Sequence, residues 1–178
     1  ADVILLDDGY QHFRIRRDLD ILVVDATNPF SGGRLLPRGL LRERPSSASR
    51  ADLVLLTRTD QVPRPAVEAL RDQLAVLSGG KPLAESVHRP TALRSLWNKK
   101  RHPLDWLRGR NVYGFCGLGN PEAFRRTLQG LGAGLVKFRS FPDHHAYAGT
   151  DVRLLNLEAQ EFMAEVFVTT EKDALKLR

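Results

Sequence analysis

The chain has little cysteine and methionine and no long apolar segment. Its 178 residues include one Cys and one Met, which excludes a disulfide framework and a zinc site built from several thiolates. No stretch approaches the ~18 consecutive apolar residues of a membrane-spanning helix. With 42% hydrophobic and 27% charged residues, the chain can bury enough apolar surface to fold, which excludes disorder as its main state. A lone cysteine is also typical of a reducing compartment.

The single methionine is Met163, so the sequence has no initiator. An apolar run, Val3-Ile4-Leu5-Leu6, begins two residues after the start of the sequence. We therefore expect the chain to be a piece of a longer protein, and the sequence says nothing about signal or anchor segments upstream.

Basic residues outnumber acidic ones, 27 to 21, which gives a net charge of +6. This excess favours an anionic partner, such as a membrane surface or a nucleic acid. No aromatic or Gly/Arg pattern typical of nucleic-acid binding accompanies it. We predict neither a nucleic-acid partner nor a protein partner.

Short β-type runs alternate with helical patterns, which predicts the α/β class with a mostly parallel sheet and flanking helices. Strands are predicted over residues 2–6, 20–25, 52–57, 111–116, 134–139 and 166–169. Helices are predicted over residues 65–77, 121–131 and 152–164 and from Glu171, with Asn120 capping the second and Thr150-Asp151 the third. Residues 28–49 have the composition of a long loop. Two domains are expected, residues 1–90 and 91–178.

Two acidic residues, Asp7 and Asp8, directly follow the first predicted strand. The carboxyl end of a parallel strand is the usual ligand crevice of such a sheet. Adjacent carboxylates suit Mg²⁺, which prefers hard oxygen ligands. An Asp-Asp-Gly sequence is equally typical of a tight turn.

A second cluster, Asp143-His144-His145-x-Tyr147, follows the strand predicted over residues 134–139. An Asp beside a His can orient the imidazole for proton transfer or metal binding, and a surface turn is the alternative. Gly117-Leu118-Gly119-Asn120 joins a strand to a helix start and can present backbone N–H groups to an anion. A plain tight turn explains that pattern as well.

The long loop combines Arg34, Arg38, Arg42 and Glu43 with two pairs of leucines. Cations interleaved with apolar side chains suit an anionic amphiphile or a membrane surface. The alternative is a solvated loop that buries some of its leucines in the core.

Five motifs follow one another along almost the whole chain. They are Asp7-Asp8-Gly9-Tyr10-Gln11-His12, Gly33-Arg34-Leu35-Leu36-Pro37-x-Gly39-x-Leu41-Arg42-Glu43, Phe115-x-Gly117-Leu118-Gly119-Asn120-Pro121, Phe141-x-Asp143-His144-His145-x-Tyr147 and Thr169-Thr170-Glu171-Lys172-Asp173-Ala174. In this order they resemble the tetraacyldisaccharide 4'-kinases, the lipid A 4'-kinases of Gram-negative bacteria. Five motifs in one order are far more specific than any single motif.

The resemblance implies an ATP- and Mg²⁺-dependent kinase that phosphorylates the 4'-hydroxyl of a lipid A disaccharide 1-phosphate. It implies a P-loop α/β kinase core, incomplete here, within residues 1–90 and a smaller α/β lobe within residues 91–178. It also implies a peripheral location on the cytoplasmic face of the inner membrane.

The resemblance assigns roles to the matching residues. Asp7 and Asp8 resemble the acidic pair that supports Mg²⁺ and phosphate, Glu43 resembles a carboxylate near the metal, and His144 resembles the catalytic histidine. ATP binding is implied for Gln11, His12, Gly117 and Gly119, and acceptor binding for Arg34, Arg38, Arg42 and His145.

Two features depart from the family pattern. This chain has Arg42-Glu43-Arg44-Pro45 where the family usually has Arg-Glu-Pro. It also has no Gly-x-x-x-x-Gly-Lys-Ser/Thr phosphate loop. We expect that loop, and the acidic partner of His144, to lie upstream of Ala1, and we expect residues 1–178 alone to have little kinase activity.

Two other functions remain open at this point. A metal-dependent phosphohydrolase would bring Asp7, Asp8, His144 and His145 around one ion. A non-catalytic module would bind anionic lipid or nucleic acid through the net positive charge, without nucleotide or Mg²⁺.

Overall fold

The computed structural model describes residues 2–177. The chain forms two compact units, Ala1–His88 and Arg89–Arg178, which we call the first unit and the second unit. The predicted domains include residues 1 and 178, which lie outside the described residues, and the role predicted for each domain stays a prediction. Within the described part, no helix is long and apolar enough to cross a membrane.

A three-stranded parallel sheet forms the centre of the first unit. Its strands, in spatial order, are β1 (Ile21–Asp25), β2 (Leu53–Thr57) and β3 (Leu83–Glu85). Helix α1 (Arg64–Ser78) connects β2 to β3. This is the crossover that two parallel neighbours require.

Helix α1 supplies much of the core of the first unit. Val67, Leu70 and Leu74 recur at the spacing of one helical face and are buried together with Val54 and Leu56 of β2. On the central strand β2, Val54 and Leu56 are fully buried, whereas Leu53 and Leu55 on the opposite face are partly buried. Burial of this face, rather than intrinsic propensity, is what stabilises a helix in a folded protein.

The second unit contains two sheets. An antiparallel pair, β4 (Leu93–Arg94) and β5 (Arg101–His102), comes first in the chain. In the parallel sheet, β6 (Asn111–Cys116) lies between β7 (Gly134–Ser140) and β8 (Val166–Val168). The helices are α2 (Pro121–Gly130), α3 (Gly149–Glu161) and α4 (Glu171–Ala174).

Side chains of the central strand β6 alternate between two cores. Tyr113 and Phe115 pack with Leu155 and Ala159 of α3. Val112 belongs to the other core, which contains a leucine of α2. Alternation with a period of two is the geometry of any strand, and burial on both faces explains why this strand is almost uniformly apolar.

The structure confirms the predicted α/β class, because the two larger sheets are parallel and flanked by helices. Five predicted strands are found within a few residues of their expected bounds, over residues 20–25, 52–57, 111–116, 134–139 and 166–169. The helices predicted over residues 65–77 and 121–131 and from Glu171 are also found.

Some elements differ from the prediction. Residues 2–6 form no strand, and Val3, Ile4 and Leu5 are 75%, 87% and 91% exposed, because a strand needs a neighbour for its backbone hydrogen bonds. Helix α3 begins at Gly149 after the N-cap residue Ala148, so Thr150-Asp151 lies in its first turn, from which the Asp151 side chain still caps the helix by accepting from the Ala148 amide. The short strands β3, β4 and β5 were not predicted, since two or three residues carry too little periodicity.

An ion pair fastens α3 to the parallel sheet of the second unit. Arg139 of β7 donates from Nε to Glu158 Oε2 of α3 at 2.9 Å, and its Nη2 contacts the other carboxylate oxygen. The Tyr113 hydroxyl of β6 donates to the same carboxylate. The hydrogen bonds from Arg139 and Tyr113 lower the pKa of Glu158 from 4.5 to about 2, and burial raises the pKa of Tyr113 to about 12.

Replacing Glu158 with Gln is expected to reduce the free energy of unfolding of the second unit by about 1–3 kcal/mol at neutral pH, because Arg139 loses its charged partner. The pKa of Glu158 is depressed in the folded state. The stabilisation from its ion pair is therefore present above pH 4.5 and is lost as the pH falls through about 2. Urea unfolding followed by tryptophan fluorescence measures this, since both tryptophans, Trp97 and Trp106, lie in the second unit.

The difference between wild type and Glu158→Gln should therefore shrink as the pH falls below 4.5. Glu161→Gln, at an exposed position of the same helix, is the control and should change stability little. A difference that stays constant from neutral to acidic pH would contradict this assignment.

Candidate functional site

The first motif forms a turn that is held by Arg17. The His12 amide donates to the Gly9 carbonyl at 2.9 Å. Arg17 Nη1 donates to the carbonyls of Gly9 and His12 at 3.3 and 2.5 Å, and Arg17 Nε pairs with Asp20 at 2.6 Å. Because Asp20 directly precedes β1, this arginine ties the turn to the start of the sheet.

Residues from the first two motifs converge on one polar network. Arg42 Nη1 lies 2.8 Å from both carboxylate oxygens of Asp8 and 3.5 Å from Gln11 Oε1. The Gln11 side chain also interacts with Glu43 and lowers the pKa of that carboxyl, and Glu43 forms a two-fold ion pair with Arg50 at 2.7 and 2.9 Å. Gln11 thus links the Asp8–Arg42 pair to the Glu43–Arg50 pair. We call these five residues the first-unit network.

Two aromatic rings hold Arg50 in this position. Its guanidinium carbon lies 4.8 Å from the ring centroid of Tyr10 and 4.9 Å from that of Phe13, which are cation–π distances. The Tyr10 hydroxyl donates to the Ser47 carbonyl at 2.7 Å, and burial raises the pKa of Tyr10. The hydrogen bond from Arg50 lowers the pKa of Glu43 below its ordinary value of 4.5.

The oxygens in this region are the kind that Mg²⁺ prefers. Asp7 is exposed, and the Asp8 side chain is 68% exposed despite its ion pair. Mg²⁺ usually takes one or two protein carboxylates and fills its remaining positions with water and phosphate oxygens. The adjacent pair Asp7-Asp8 fits that requirement, with Glu43 nearby in the network. Among residues 2–177, no group of three or more His, Cys, Asp or Glu side chains is arranged to hold a metal ion.

The basic loop folds into a compact turn that exposes its cations and leucines. The Leu36 amide donates to the Leu41 carbonyl at 3.0 Å, and the Leu41 amide donates to the Arg34 carbonyl at 3.1 Å. Arg34, Arg38, Leu36 and Leu40 are all exposed. Leu36 and Leu40 therefore stay outside the core, whereas Leu41 of the same loop is half-buried.

The glycine turn of the second unit is shaped by its neighbours. Asn120 caps α2 as predicted, because its side chain accepts from the Ala123 amide at 3.2 Å. A Cβ built on Gly117 would lie 3.1 Å from the Pro142 carbonyl oxygen and 3.3 Å from both Asp173 Oδ1 and the His145 Cβ. Close packing therefore accounts for Gly117, and its predicted contact with ATP stays a prediction.

A buried carboxylate, Asp173, supports this turn. It is fully buried; its Oδ2 accepts from the Gly117 amide at 3.1 Å and from the Thr170 hydroxyl at 2.7 Å. Lys176 Nζ lies 3.6 Å from the other oxygen. Burial, followed by the nearby Asp173, raises the pKa of Tyr147. The sequence had no role for Asp173 beyond its place in the fifth motif.

The two adjacent histidines have different environments. The His145 ring stacks on Phe141 at 4.7 Å and meets Tyr147 edge-on at 5.0 Å. Its Nε2 lies 3.0 Å from Asp151 Oδ2, which also accepts from the Ala148 amide at 2.8 Å. The bond from Ala148 and then that from His145 lower the pKa of Asp151. His145 is therefore held rigidly, by a carboxylate that sequence reasoning had assigned to helix capping.

His144 is the exposed member of the pair. Its side chain is 74% exposed, against 24% for His145, and its backbone has a left-handed φ of 58°. Its Nε2 lies 3.8 Å from Asp143 Oδ2, and Lys172 Nζ lies 3.7 Å from the other oxygen of that carboxylate. A Cβ on Gly119 would come within 3.3 Å of Asp143.

The structure thus brings predicted residues together within each unit. In the first unit Asp8, Gln11, Arg42 and Glu43 share one network. In the second, the glycine turn meets the Asp143–Tyr147 segment. Four other predicted site residues are exposed and lie outside these contacts: Asp7, His12, Arg34 and Arg38. The roles of all predicted site residues stay predictions.

Comparison with known proteins confirms the resemblance seen in the five motifs. A family model described as tetraacyldisaccharide-1-P 4'-kinase matches residues 1–178. Similar proteins include the tetraacyldisaccharide 4'-kinases of Syntrophus aciditrophicus (strain SB), 43% identical over 183 residues, and of Anaeromyxobacter dehalogenans (strain 2CP-C), 45% identical over 177 residues. These alignments cover 99% of this chain but 49% and 47% of the relatives. The chain therefore spans about half the length of the curated relatives it matches.

A solved structure is similar as well. It is the crystal structure of the "apo" form of LpxK from Aquifex aeolicus in complex with ATP, with a TM-score of 0.53 and 31% sequence identity. The match covers 96% of this chain and 47% of that chain. This likeness confirms the predicted kinase-like α/β fold.

Replacing Gly117 with Ala is expected to reduce the free energy of unfolding of the second unit by about 1–3 kcal/mol, because three packed atoms would have to move. Gly119→Ala is the matched control and should cost less, since its added Cβ meets only Asp143, whose side chain is half exposed. Urea unfolding followed by tryptophan fluorescence compares the two. Equal losses would show that close packing does not distinguish Gly117.

Proposed function

This chain belongs to the tetraacyldisaccharide-1-P 4'-kinase family, and on that premise we propose that the protein containing it phosphorylates a lipid A precursor. The reaction is transfer of the γ-phosphoryl group of ATP to the 4'-hydroxyl of tetraacyldisaccharide 1-phosphate. The observation that carries the proposal is the match of the family along residues 1–178. The first-unit network supports it, because Arg42 of the second motif contacts Asp8 and Gln11 of the first motif. These two residues precede Arg42 in the sequence by 34 and 31 positions.

In this proposal the first unit binds Mg²⁺ and the phosphates of ATP. Asp7 and Asp8 would hold Mg²⁺, which when bound offsets the negative charge of the terminal phosphates. Arg42 orients the Asp8 carboxylate, and Gln11 connects that pair to Glu43. Arg50 in turn holds the Glu43 carboxylate in place through a two-fold ion pair. The chain has no Gly-x-x-x-x-Gly-Lys-Ser/Thr loop, so the phosphate loop of the family would come from residues outside this sequence.

His144 is the residue of the second unit that we assign to the chemistry. Its exposed imidazole can take the proton of the attacking sugar hydroxyl. The carboxylate of Asp143 lies beside the ring, with its Oδ2 3.8 Å from His144 Nε2. His145 has a positioning role, because its ring and its Nε2 are already engaged by Phe141 and Asp151. Its rigid packing holds the backbone from which His144 projects.

The basic loop suits the lipid acceptor. Arg34 and Arg38 can bind the anionic phosphate, while Leu36 and Leu40 present exposed apolar surface to acyl chains. We propose that the protein works at the cytoplasmic face of the inner membrane as a peripheral enzyme, because its acceptor resides in that membrane. Cations and apolar side chains on one exposed loop are typical of such a surface.

In a full-length protein that contains these residues, His144→Ala is expected to lower kcat by about a hundredfold or more while ATP binding changes little, because a general base acts only on the chemical step. The measurement is transfer of radiolabelled phosphate from ATP to tetraacyldisaccharide 1-phosphate. An unchanged kcat would remove His144 from the chemistry.

His145→Ala is the matched comparison for this experiment. It should lower thermal stability as well as activity, because its ring packs on Phe141 and Tyr147. If the unsubstituted full-length protein transfers no phosphate to this acceptor, the proposed function itself is wrong.

Residues 1–178 alone are expected to show little or no transfer in the same assay, because a phosphate cradle with its lysine supplies much of the charge stabilisation in phosphoryl transfer. The full-length protein at equal concentration is the control. Measurable ATP-dependent phosphorylation of the lipid by the 178-residue chain would overturn this expectation.

A further inference from the structure

The antiparallel pair β4–β5 carries a turn that no part of the proposed reaction uses. The Ser95 amide donates to the Lys100 carbonyl at 2.9 Å, and the Lys100 amide donates to Asn98 Oδ1 at 3.0 Å. Lys99 adopts a left-handed φ of 57° within this turn. The turn is therefore closed by its own hydrogen bonds. We call its six residues, 95–100, the hairpin tip.

The hairpin tip exposes a large apolar surface. Trp97 is 97% exposed and Leu96 is 57% exposed. Trp97 is the more exposed of these two adjacent side chains, whereas Trp106 in the same unit packs against a core cluster. A tryptophan left almost wholly in water forgoes the burial that usually stabilises so large a side chain. Such exposure at a turn indicates a binding surface.

The residues beside Trp97 carry only positive charge. After one intervening residue, Asn98, come Lys99, Lys100 and Arg101. All three cations are exposed, and residues 95–101 include no acidic side chain. Tryptophan favours the interface between membrane and water, and each cation near an anionic membrane contributes about 1 kcal/mol. The combination is therefore complementary to an anionic lipid surface.

We propose that the hairpin tip is a membrane anchor, which inserts Trp97 and Leu96 into the interface of an anionic bilayer while Lys99, Lys100 and Arg101 bind the lipid headgroups. The tip keeps its turn conformation through the Ser95–Lys100 backbone hydrogen bond and the Lys100 amide bond to Asn98, so that Leu96 and Trp97 are presented together. The proposal deepens the peripheral membrane location given under the proposed function, on which it rests, but it is tested separately, since binding at the tip needs neither ATP nor the lipid acceptor.

Tryptophan fluorescence tests this directly. In the Trp106→Phe variant of the full chain, Trp97 is the single tryptophan. Vesicles of equal parts phosphatidylglycerol and phosphatidylcholine should shift its emission to the blue, and brominated lipids should quench it. Vesicles of phosphatidylcholine alone should do neither, because they attract no cations. If Trp106→Phe does not fold, wild type is used and the signal lost in Trp97→Phe reports the tip.

Variants of the tip measure its contribution by vesicle sedimentation. Trp97→Ser should weaken binding about tenfold. Lys99→Gln/Lys100→Gln should weaken it about thirtyfold, from roughly fivefold for each cation. Val76→Ser, at an exposed apolar position of α1, is the control for the first change. Lys81→Gln/Arg153→Gln removes the same charge from two other exposed positions and is the control for the second.

Each outcome decides the proposal. Blue shift, quenching and loss of binding in the tip variants alone would support it. Binding without a change in Trp97 emission would overturn it, because the protein would then bind through another surface. Equal losses in tip and control variants would overturn it in favour of a diffuse charge effect. A blue shift with single-stranded DNA but not with vesicles would also overturn it, in favour of a nucleic-acid site.

Discussion

The hydrogen bond from the Gly117 amide to the buried carboxylate of Asp173 is the contact on which the candidate site of the second unit depends. It exists because β6, β7 and β8 are parallel, so that the segments leaving all three strands emerge at one edge of the sheet. Asp173 thereby joins motifs that are 56 residues apart. A fully buried carboxylate is unfavourable unless it is hydrogen-bonded, which restricts the conformations this edge can adopt.

This constraint separates the roles of the two histidines. Gly117 packs against the His145 Cβ, and Asp151 holds the ring of His145, so that the segment is anchored through His145. The exposure of His144 follows from the same anchoring, because the side chains of neighbouring residues in an extended or turn segment point in different directions. The result is an exposed imidazole on a backbone that its neighbour His145 anchors.

In the first unit, Arg50 likewise connects segments that are distant in sequence. Arg50 lies over the rings of Tyr10 and Phe13 and pairs with Glu43, so it attaches the acidic turn to the basic loop. The exposed pair of Arg42 and Asp8 would contribute little by itself. Its position is defined because Gln11 connects it to the more sheltered Glu43–Arg50 pair. Networks of this kind restrain geometry more than isolated surface ion pairs do.

The amino-acid sequence by itself determined the α/β class, most strands and helices, and the five motifs that identify the family. Those features depend on local periodicity, on turn chemistry at residues such as Asn120, and on motif order, all of which can be read along the chain. Residues 2–6 show the limit, because an apolar run becomes a strand only when another strand pairs with it. Tertiary structure alone decided that Asp173 supports Gly117, that Asp151 holds His145, and that Gln11 links two ion pairs. Most of these contacts join residues far apart in sequence, and Asp151 binds His145 in addition to capping its own helix. Only the parallel register and the packing of specific side chains bring these groups together.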